Sequence, residues 1–427
     1  MTIRVAVGIG VVMAIAAGGC GPKRGEVTSP IGPPEQPDYS RPLPPGQLAL
    51  RKVTDPAQIP DFGPGFTDQD GLRQAVNNSL AYLARPSSRR FFPYGQISHE
   101  QAVASLQQFL RVLDEARTPE QFDDLLRSGF DVYTSVGYDD EGTVLFTGYY
   151  CPIFDARLKP DERFRYPLHK PPPDLARDRR TGMTLGRRTA DGSVVPYYTR
   201  DQILKLGLPG SELVWLADAF EAYVVSVQGS ARLRLPDGRL MEIGFAGDNG
   251  HDYVSVAEAM ISHGKLDRNE LSLDAMISFF RQHPDQLDVY LPLNPRYVFF
   301  KPVTGGPYGC LNVPVLPFRS IATDKEIYPR ACLAYVVTEL ARDTEGPAQT
   351  QPFRGFVLDQ DRGNAIRAAG RCDVFMGIGA RAGRLAGRTK AEGRLYYLFA
   401  KSPGGSSPAL DAGASGEDVD RARPLED

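Results

Sequence analysis

A chain of 427 residues, 42% of them hydrophobic, is ample for a large core and for more than one domain. Its formal net charge of −3 gives no global basic field, which excludes nucleic acid as a partner and leaves uncharged or anionic glycans open. Apart from Cys20, the cysteines are Cys151, Cys310, Cys332 and Cys372, without the paired short spacing of a zinc site, so neither a metal centre nor a cofactor is expected.

At the N-terminus, Arg4 precedes an uncharged run over 5–17, and Ala17-Gly-Gly-Cys20 closes it with small residues. The run is short for a bilayer span and has the charge, apolar core and small-residue exit of a secretory signal over 1–19. A cysteine at such an exit resembles a bacterial lipobox, with Ala17 where that pattern usually carries leucine, so Cys20 is the expected lipidation site. Gly21 next to it resembles lipoproteins sent to the outer membrane. Residues 20–67 are rich in proline, with Pro30, Pro33, Pro34, Pro37, Pro42, Pro44 and Pro45 close together, and are expected as an extended tether. In such an oxidising compartment the four remaining cysteines allow three disulfide pairings; Cys372 reads either as a buried structural thiol or as one half of a bridge that would steady the strand carrying Asp373, and the bridge is the expectation.

Apolar residues at helical spacing predict helices over 70–83 and 101–116, the latter through Val103, Leu106, Phe109, Leu110 and Leu113. Thr118-Pro-Glu-Gln121 predicts a third, with threonine as cap, proline in the first turn and Gln121 reaching back. Alternation over 231–235 and 240–245 about Pro236-Asp-Gly238 predicts a β-hairpin with Arg232 and Arg234 on a solvated face. A helix over 272–281 and strands over 297–300, 332–340 and 395–399 follow, and 402–427 has too few apolar residues to fold. Many short strands with few helical crossovers predict a mainly β fold, a barrel or sandwich with appended N-terminal helices.

Three aspartates carry the chemical signal: Asp324 in Ile321-Ala-Thr-Asp-Lys-Glu-Ile-Tyr-Pro329, Asp361 in Asp-Arg-Gly-Asn-Ala-Ile, and Asp373 in Asp-Val-Phe-Met-Gly-Ile-Gly379. Each alone reads as a turn residue beside glycine; together they suit acid/base work on an approaching ligand, because glycine leaves room for it. Thr147, Gly148, Tyr149 and Tyr150 offer hydroxyls and an aromatic platform for sugar rings, or core packing. Gln228, Gly229, Ser230, Asn249, Gly250, Tyr253 and Ser255 supply short polar groups that suit hydroxyl and N-acetyl contacts, or turns. Lys301 meets a substrate carboxylate or reaches into water. His251, with no nucleophile beside it, is expected to be a satisfied histidine.

These blocks, Phe146-Thr-Gly-Tyr-Tyr-Cys-Pro152, Val227-Gln-Gly-Ser-Ala231, Asn249-Gly-His-Asp-Tyr-Val-Ser255, Asn294-Pro-Arg-Tyr-Val-Phe-Phe-Lys301 and the aspartate segments, occur in the order found in the membrane-bound lytic murein transglycosylase A family, which the chain resembles over roughly residues 66–401. The resemblance implies a double-psi β-barrel from 68–148 and 296–401, a second β domain inserted over 149–295, and a glycan groove between them. It implies that Asp373 is catalytic, Asp361 supporting and Asp324 the first of the three. It further implies cleavage of the β-1,4 bond between muramic acid and glucosamine in peptidoglycan, with one carboxylate as acid then base and a 1,6-anhydro product. The implied setting is an outer-membrane lipid anchor facing the periplasm, with a cell-wall synthesis or remodelling complex as a further partner. Two departures stand out: Arg362 replaces a threonine of the family pattern, and Ala331-Cys332 replaces Gly-Thr. The competing expectations are a non-catalytic peptidoglycan-binding lipoprotein and an aspartic protease, the latter disfavoured because it needs two Asp-Thr/Ser-Gly carboxylates.

Overall fold

The computed structural model of the chain describes residues 37–178, 182–267, 273–344, 349–363 and 365–401. The signal segment, Cys20 and the tail from 402 lie outside the described residues.

The first flank comprises β1 (Leu50–Lys52), α1 (Pro64–Thr67), α2 (Leu72–Leu83), α3 (His99–Glu115), α4 (Pro119–Gly129), β2 (Phe130–Ser135) and β3 (Val144–Cys151). The middle holds β4 (Ile153–Arg157), β5 (Tyr166–His169), β6 (Leu175–Arg177), β7 (Thr184–Arg188), β8 (Val194–Val195), α5 (Arg200–Leu206), β9 (Glu212–Leu216), α6 (Ala219–Gln228), β10 (Ser230–Arg234), β11 (Leu240–Asp248), α7 (Val256–Ser262), α8 (Leu273–Gln282), α9 (Leu287–Tyr290) and β12 (Val298–Val303). The second flank runs through β13 (Ser320–Ala322), β14 (Leu333–Ala341), β15 (Thr350–Asp361), β16 (Arg371–Ile378), α10 (Ala380–Arg388) and β17 (Lys390–Ala400).

The predicted helices form for the reasons read in their sequences. Ser98 caps α3 by accepting from the Gln101 amide, and Thr118 caps α4 through Gln121 with Pro119 in its first turn. Gln121 reaches one residue further back than a capping box requires and accepts from the Arg117 amide. Leu106, Phe109 and Leu113 of α3 are buried, and Phe109 meets Phe356 with ring centroids 4.8 Å apart. Each such buried aromatic contributes about 2 kcal/mol of apolar transfer.

Part of the stretch expected as a tether is folded instead. Backbone pairing joins β1 to β2, and Ala49 and Phe62 are wholly buried, Phe62 against Tyr335 and Phe356. Two apolar residues spaced outside any helical or strand period gave no signal in a proline-rich background, yet they join the main core.

In the principal sheet, β3, β16, β13, β15, β14 and β17 are neighbours in that order, and β17 also pairs with β3, so six strands close into a barrel. One of the six precedes the middle segment and five follow it, which makes the barrel a product of the chain's two flanks. The pairs β3–β16 and β13–β15 are parallel, whereas β13–β16, β14–β15, β14–β17 and β3–β17 are antiparallel. This is the double-psi barrel with appended helices and a second β layer. The middle segment builds a six-stranded sheet in the order β12-β11-β10-β4-β9-β5 and a small sheet β6-β7-β8. The predicted hairpin is β10–β11, with Arg234 opposite Leu240. Its arginines do not share one solvated face: Arg232 is half-buried and pairs with Glu242 at 2.8 Å, while Arg234 is exposed.

The four cysteines are free thiols, so the bridge expected at Cys372 is absent. Cys332 and Cys372 are buried in the main core and Cys151 in a smaller cluster, and burial pushes all three thiols up.

Candidate active site

A cleft of about 920 Å³ opens between the barrel and the second sheet. Its floor is β13. Ala322 faces Asp361 of β15 on one side and Asp373 of β16 on the other, so the two carboxylates leave the strands that flank β13 on the same face, with only a methyl group between them. Strand spacing puts their backbones about 10 Å apart. Thr147 of β3 is the register partner of Asp373, on its far side.

The two aspartates have different surroundings. Asp361 is fully engaged: Oδ1 accepts from the amides of Cys310 and Arg362, each at 2.8 Å, and Oδ2 from the Tyr149 hydroxyl at 3.0 Å. Asp373 has one partner. Thr147 Oγ1 donates to its Oδ1 at 2.5 Å, and Oδ2 has none among the described residues. Burial raises the pKa of both above the ordinary aspartate value; the Thr147 hydrogen bond and the Arg371 charge oppose this at Asp373, and the two amides and Tyr149 oppose it at Asp361. A carboxyl with a raised pKa and one oxygen open to a cleft suits proton donation. A carboxylate held by three donors suits support.

The opposite wall comes from the second sheet. Helix α6 ends at Gly229, whose φ of 77° lets the chain turn into β10 and present Gln228, Gly229 and Ser230 to the cleft. Gln228 ties the walls together by accepting from the Tyr150 amide of β3 at 3.0 Å. Thr147, Gly148, Tyr149, Tyr253 and Lys301 also line the cleft, Lys301 exposed.

Several expected site residues lie elsewhere, each for a physical reason. Asp324 is outside the cleft; its Oδ2 accepts from the Ala368 amide and its Oδ1 from the Glu326 amide, both at 3.1 Å, which fixes the loop leading into β16. Tyr150 is buried in the core, with its ring against Gly383. Asn249 is consumed by backbone, donating to the carbonyls of Tyr198 and Pro295 and accepting from the Tyr297 amide. Gly250 sits at φ 79° beside Thr184, and Ser255 caps α7. His251 is satisfied by the Tyr197 carbonyl, at 2.8 Å.

Other cleft residues gave no sequence signal. Arg371, two positions before Asp373 on the same strand face, lies with Nη2 3.4 Å from Thr147 Oγ1. Lys325 reaches the cleft base, 2% exposed, and pairs with Asp359, which also accepts from Thr323 and Tyr397 at 2.8 Å each. Tyr82, Arg90 and Phe91, from α2 and the turn after it, close one end. The i, i+2 spacing of Arg371 and Asp373 on a strand was the only available cue to any of these.

Two family descriptions match the chain, "MltA specific insert domain" over residues 145–301 and "3D domain" over 319–399. Membrane-bound lytic murein transglycosylase A of Vibrio cholerae is 30% identical over 268 residues, covering 61% of this chain and 67% of that protein. The protein of the same name from Escherichia coli K12 is 28% identical over 317 residues, covering 74% and 79%. Among solved structures, a membrane-bound lytic murein transglycosylase from Agrobacterium tumefaciens superposes with a TM-score of 0.69 at 25% identity, over 83% of this chain and 98% of that one. E. coli MltA with bound chitohexaose superposes at 0.61 and 25%, over 86% and 98%.

Proposed function

This chain belongs to the membrane-bound lytic murein transglycosylase A family, and we propose that it cleaves the β-1,4 bond between N-acetylmuramic acid and N-acetylglucosamine with Asp373 as acid and then base. It is a lytic transglycosylase acting on peptidoglycan, and the chitohexaose held by its E. coli neighbour supports a glycan in the cleft. The observation that carries the assignment is the contrast between the two carboxylates. Asp361 has both oxygens engaged, whereas Asp373 keeps Oδ2 open beside the cleft and holds its proton more tightly than an ordinary aspartate.

In the proposed cycle, protonated Asp373 donates to the glycosidic oxygen, the bond from muramyl C1 to that oxygen breaks, and glucosamine leaves with a free 4-hydroxyl. Positive charge builds on C1 and its ring oxygen. The muramyl C6 hydroxyl oxygen bonds to C1 while its proton passes to the Asp373 carboxylate, which closes the 1,6-anhydro ring and restores the acid. No water enters. Ordinary glycosidases need a second carboxylate to direct a nucleophile or a water; here the substrate supplies the nucleophile, so one carboxylate suffices. Asp361 supports through the strand register on either side of Ala322 and its hold on Tyr149. Thr147, Gly148, Tyr149, Gln228, Gly229, Ser230, Tyr253 and Lys301 are proposed to bind the sugars, while Tyr150, Asn249, Gly250, Ser255 and Asp324 hold the walls that carry them.

The same reading divides the chain into a signal at 1–19, a lipid-anchored segment from Cys20, a barrel split over 68–148 and 296–401, and an inserted domain between. It sets the enzyme at the periplasmic side of the outer membrane. The test is Asp373→Asn on murein sacculi. Lysis falls by at least about a hundredfold, the usual contribution of an acid/base group, while sedimentation with sacculi persists. Released muropeptides from the parent are one water lighter than hydrolase products. Sedimentation without any release from the parent protein would instead support a non-catalytic binding lipoprotein.

A further inference from the structure

The cleft has more positive charge than a neutral sugar chain needs. Its lining carries more basic than acidic side chains: of the three acids, Asp361 is held by three donors, Asp373 is assigned to catalysis, and Glu326 is exposed and makes no ion pair among the described residues. Arg362 is exposed on the barrel wall and makes no ion pair among the described residues. Asp361 does not neutralise it, since that carboxylate takes the Arg362 main-chain amide and not its guanidinium. On the opposing wall, Arg296 pairs with Asp248 at 2.5 Å and donates to the His251 carbonyl at 3.0 Å, yet its buried Nε has no partner. Burial depresses the pKa of Arg296, and the nearby charges of Arg362 and Arg367 add to that while Asp248 opposes it. Arg200, also in the lining and 4% exposed, pairs with no carboxylate among the described residues; it stacks on Tyr223 and Tyr297 at 5.0 and 5.2 Å and is held by two backbone carbonyls and Ser226.

Cations that line one cleft repel one another unless an anion joins them. We infer that Arg362 and Arg296 form a carboxylate-binding subsite that reads the acidic arm of muramic acid. Muramic acid differs from glucosamine by a lactyl ether, whose carboxyl is either free or amide-linked to a peptide bearing carboxylates of its own. Both sources present the same group beside the scissile bond. The inference rests on the glycan reading proposed above and adds to it a preference for anionic over neutral strands.

The experiment uses full-length Asp373→Asn protein, which binds without turning substrate over, and compares three ligands at rising salt: peptide-bearing murein strands, strands stripped of peptide so that the lactyl carboxylate is free, and chitohexaose. The anionic strands bind more tightly at low salt and lose that advantage as salt rises, because exposed guanidinium pairs are screened. Adding Arg362→Gln, an exposed change that leaves the melting temperature unmoved, weakens the anionic strands by about threefold to tenfold and chitohexaose by less than twofold. Loss confined to the stripped strands assigns the lactyl carboxylate; loss confined to the peptide-bearing strands assigns the peptide. Equal affinity for all three ligands, or equal weakening of all three by Arg362→Gln, overturns the subsite. Failure of the parent enzyme to release anhydro-muropeptides is a separate result, which overturns the catalytic reading and not this one.

Discussion

At Asp373 two opposing influences set the proton affinity. Burial favours the neutral acid, and Thr147 and Arg371 favour the carboxylate. In the proposed cycle turnover begins from the protonated form, so activity is expected to fall as pH rises through the Asp373 pKa. Thr147→Val removes the donor to Oδ1 and raises that pKa further, which moves the alkaline limb of the pH–rate profile upward. An unmoved limb would mean that Thr147 does not touch the titrating oxygen. A linked effect appears in stability. The folded-state pKa lies above the ordinary value of 3.8, so the folded chain binds the proton more tightly than the unfolded chain, and the resulting stability is complete below 3.8 and lost as pH rises through the folded-state pKa. Asp373→Asn, which cannot ionise, therefore melts higher than the parent at pH 7, and the gap closes as pH falls toward 3.8. Thermal unfolding across that range checks it, and a gap that widens toward acid contradicts the assigned direction.

At the scale of elements, a glycine lets β3 approach both α10 and β16. A Cβ on Gly148 would stand 2.8 Å from Ala386 Cα of α10 and 2.9 Å from Met376 Cε of β16, so this residue fits because strand and helix touch there. Gly148→Ala forces β3 and α10 apart, costs about 1–3 kcal/mol of stability, and lowers turnover because Thr147 is the next residue; chemical unfolding and lysis rate measure the two effects. Ala331 gives the converse case. It holds φ 62° where the family pattern has glycine, the residue that conformation favours, and its amide donates to the Asp359 main-chain carbonyl. The helices were legible because caps and 3.6-residue spacing are local, and the hairpin because its turn residues are local too. The site was only half legible. Asp361, Asp373, Gln228 and Ser230 line the cleft, but Asp324, Asn249 and Ser255 share the same motifs and are taken up by backbone amides and carbonyls, a distinction that sequence spacing does not carry. Arg200, Arg296 and Arg371 were silent because a basic residue's neighbours belong to other elements.

For the molecule as a whole, the difficulty is that one strand of a closed barrel is made before roughly 170 residues of insertion and loop, and the other five after it. Loop closure over so long a segment is entropically unfavourable, though only weakly dependent on length, so contacts among the late strands must hold the ring. The buried cluster at the base of the cleft does this. Lys325, Thr323 and Asp359 join the segment after β13 to β15, and the Tyr397 hydroxyl joins β17 to the same carboxylate, with both charged groups almost wholly out of solvent. Such a pair is weak as a source of stability but severe when halved, because the survivor is left charged and unpaired. Asp359→Ala is therefore expected to destabilise the chain by about 3–5 kcal/mol, and Lys325→Met by a similar amount. The double variant, which leaves no unpaired charge, recovers a large part of the loss. A double-mutant cycle in chemical denaturant reads this directly. Strictly additive losses would show that the pair is two independent packing residues, and that the barrel is held by its apolar interior alone.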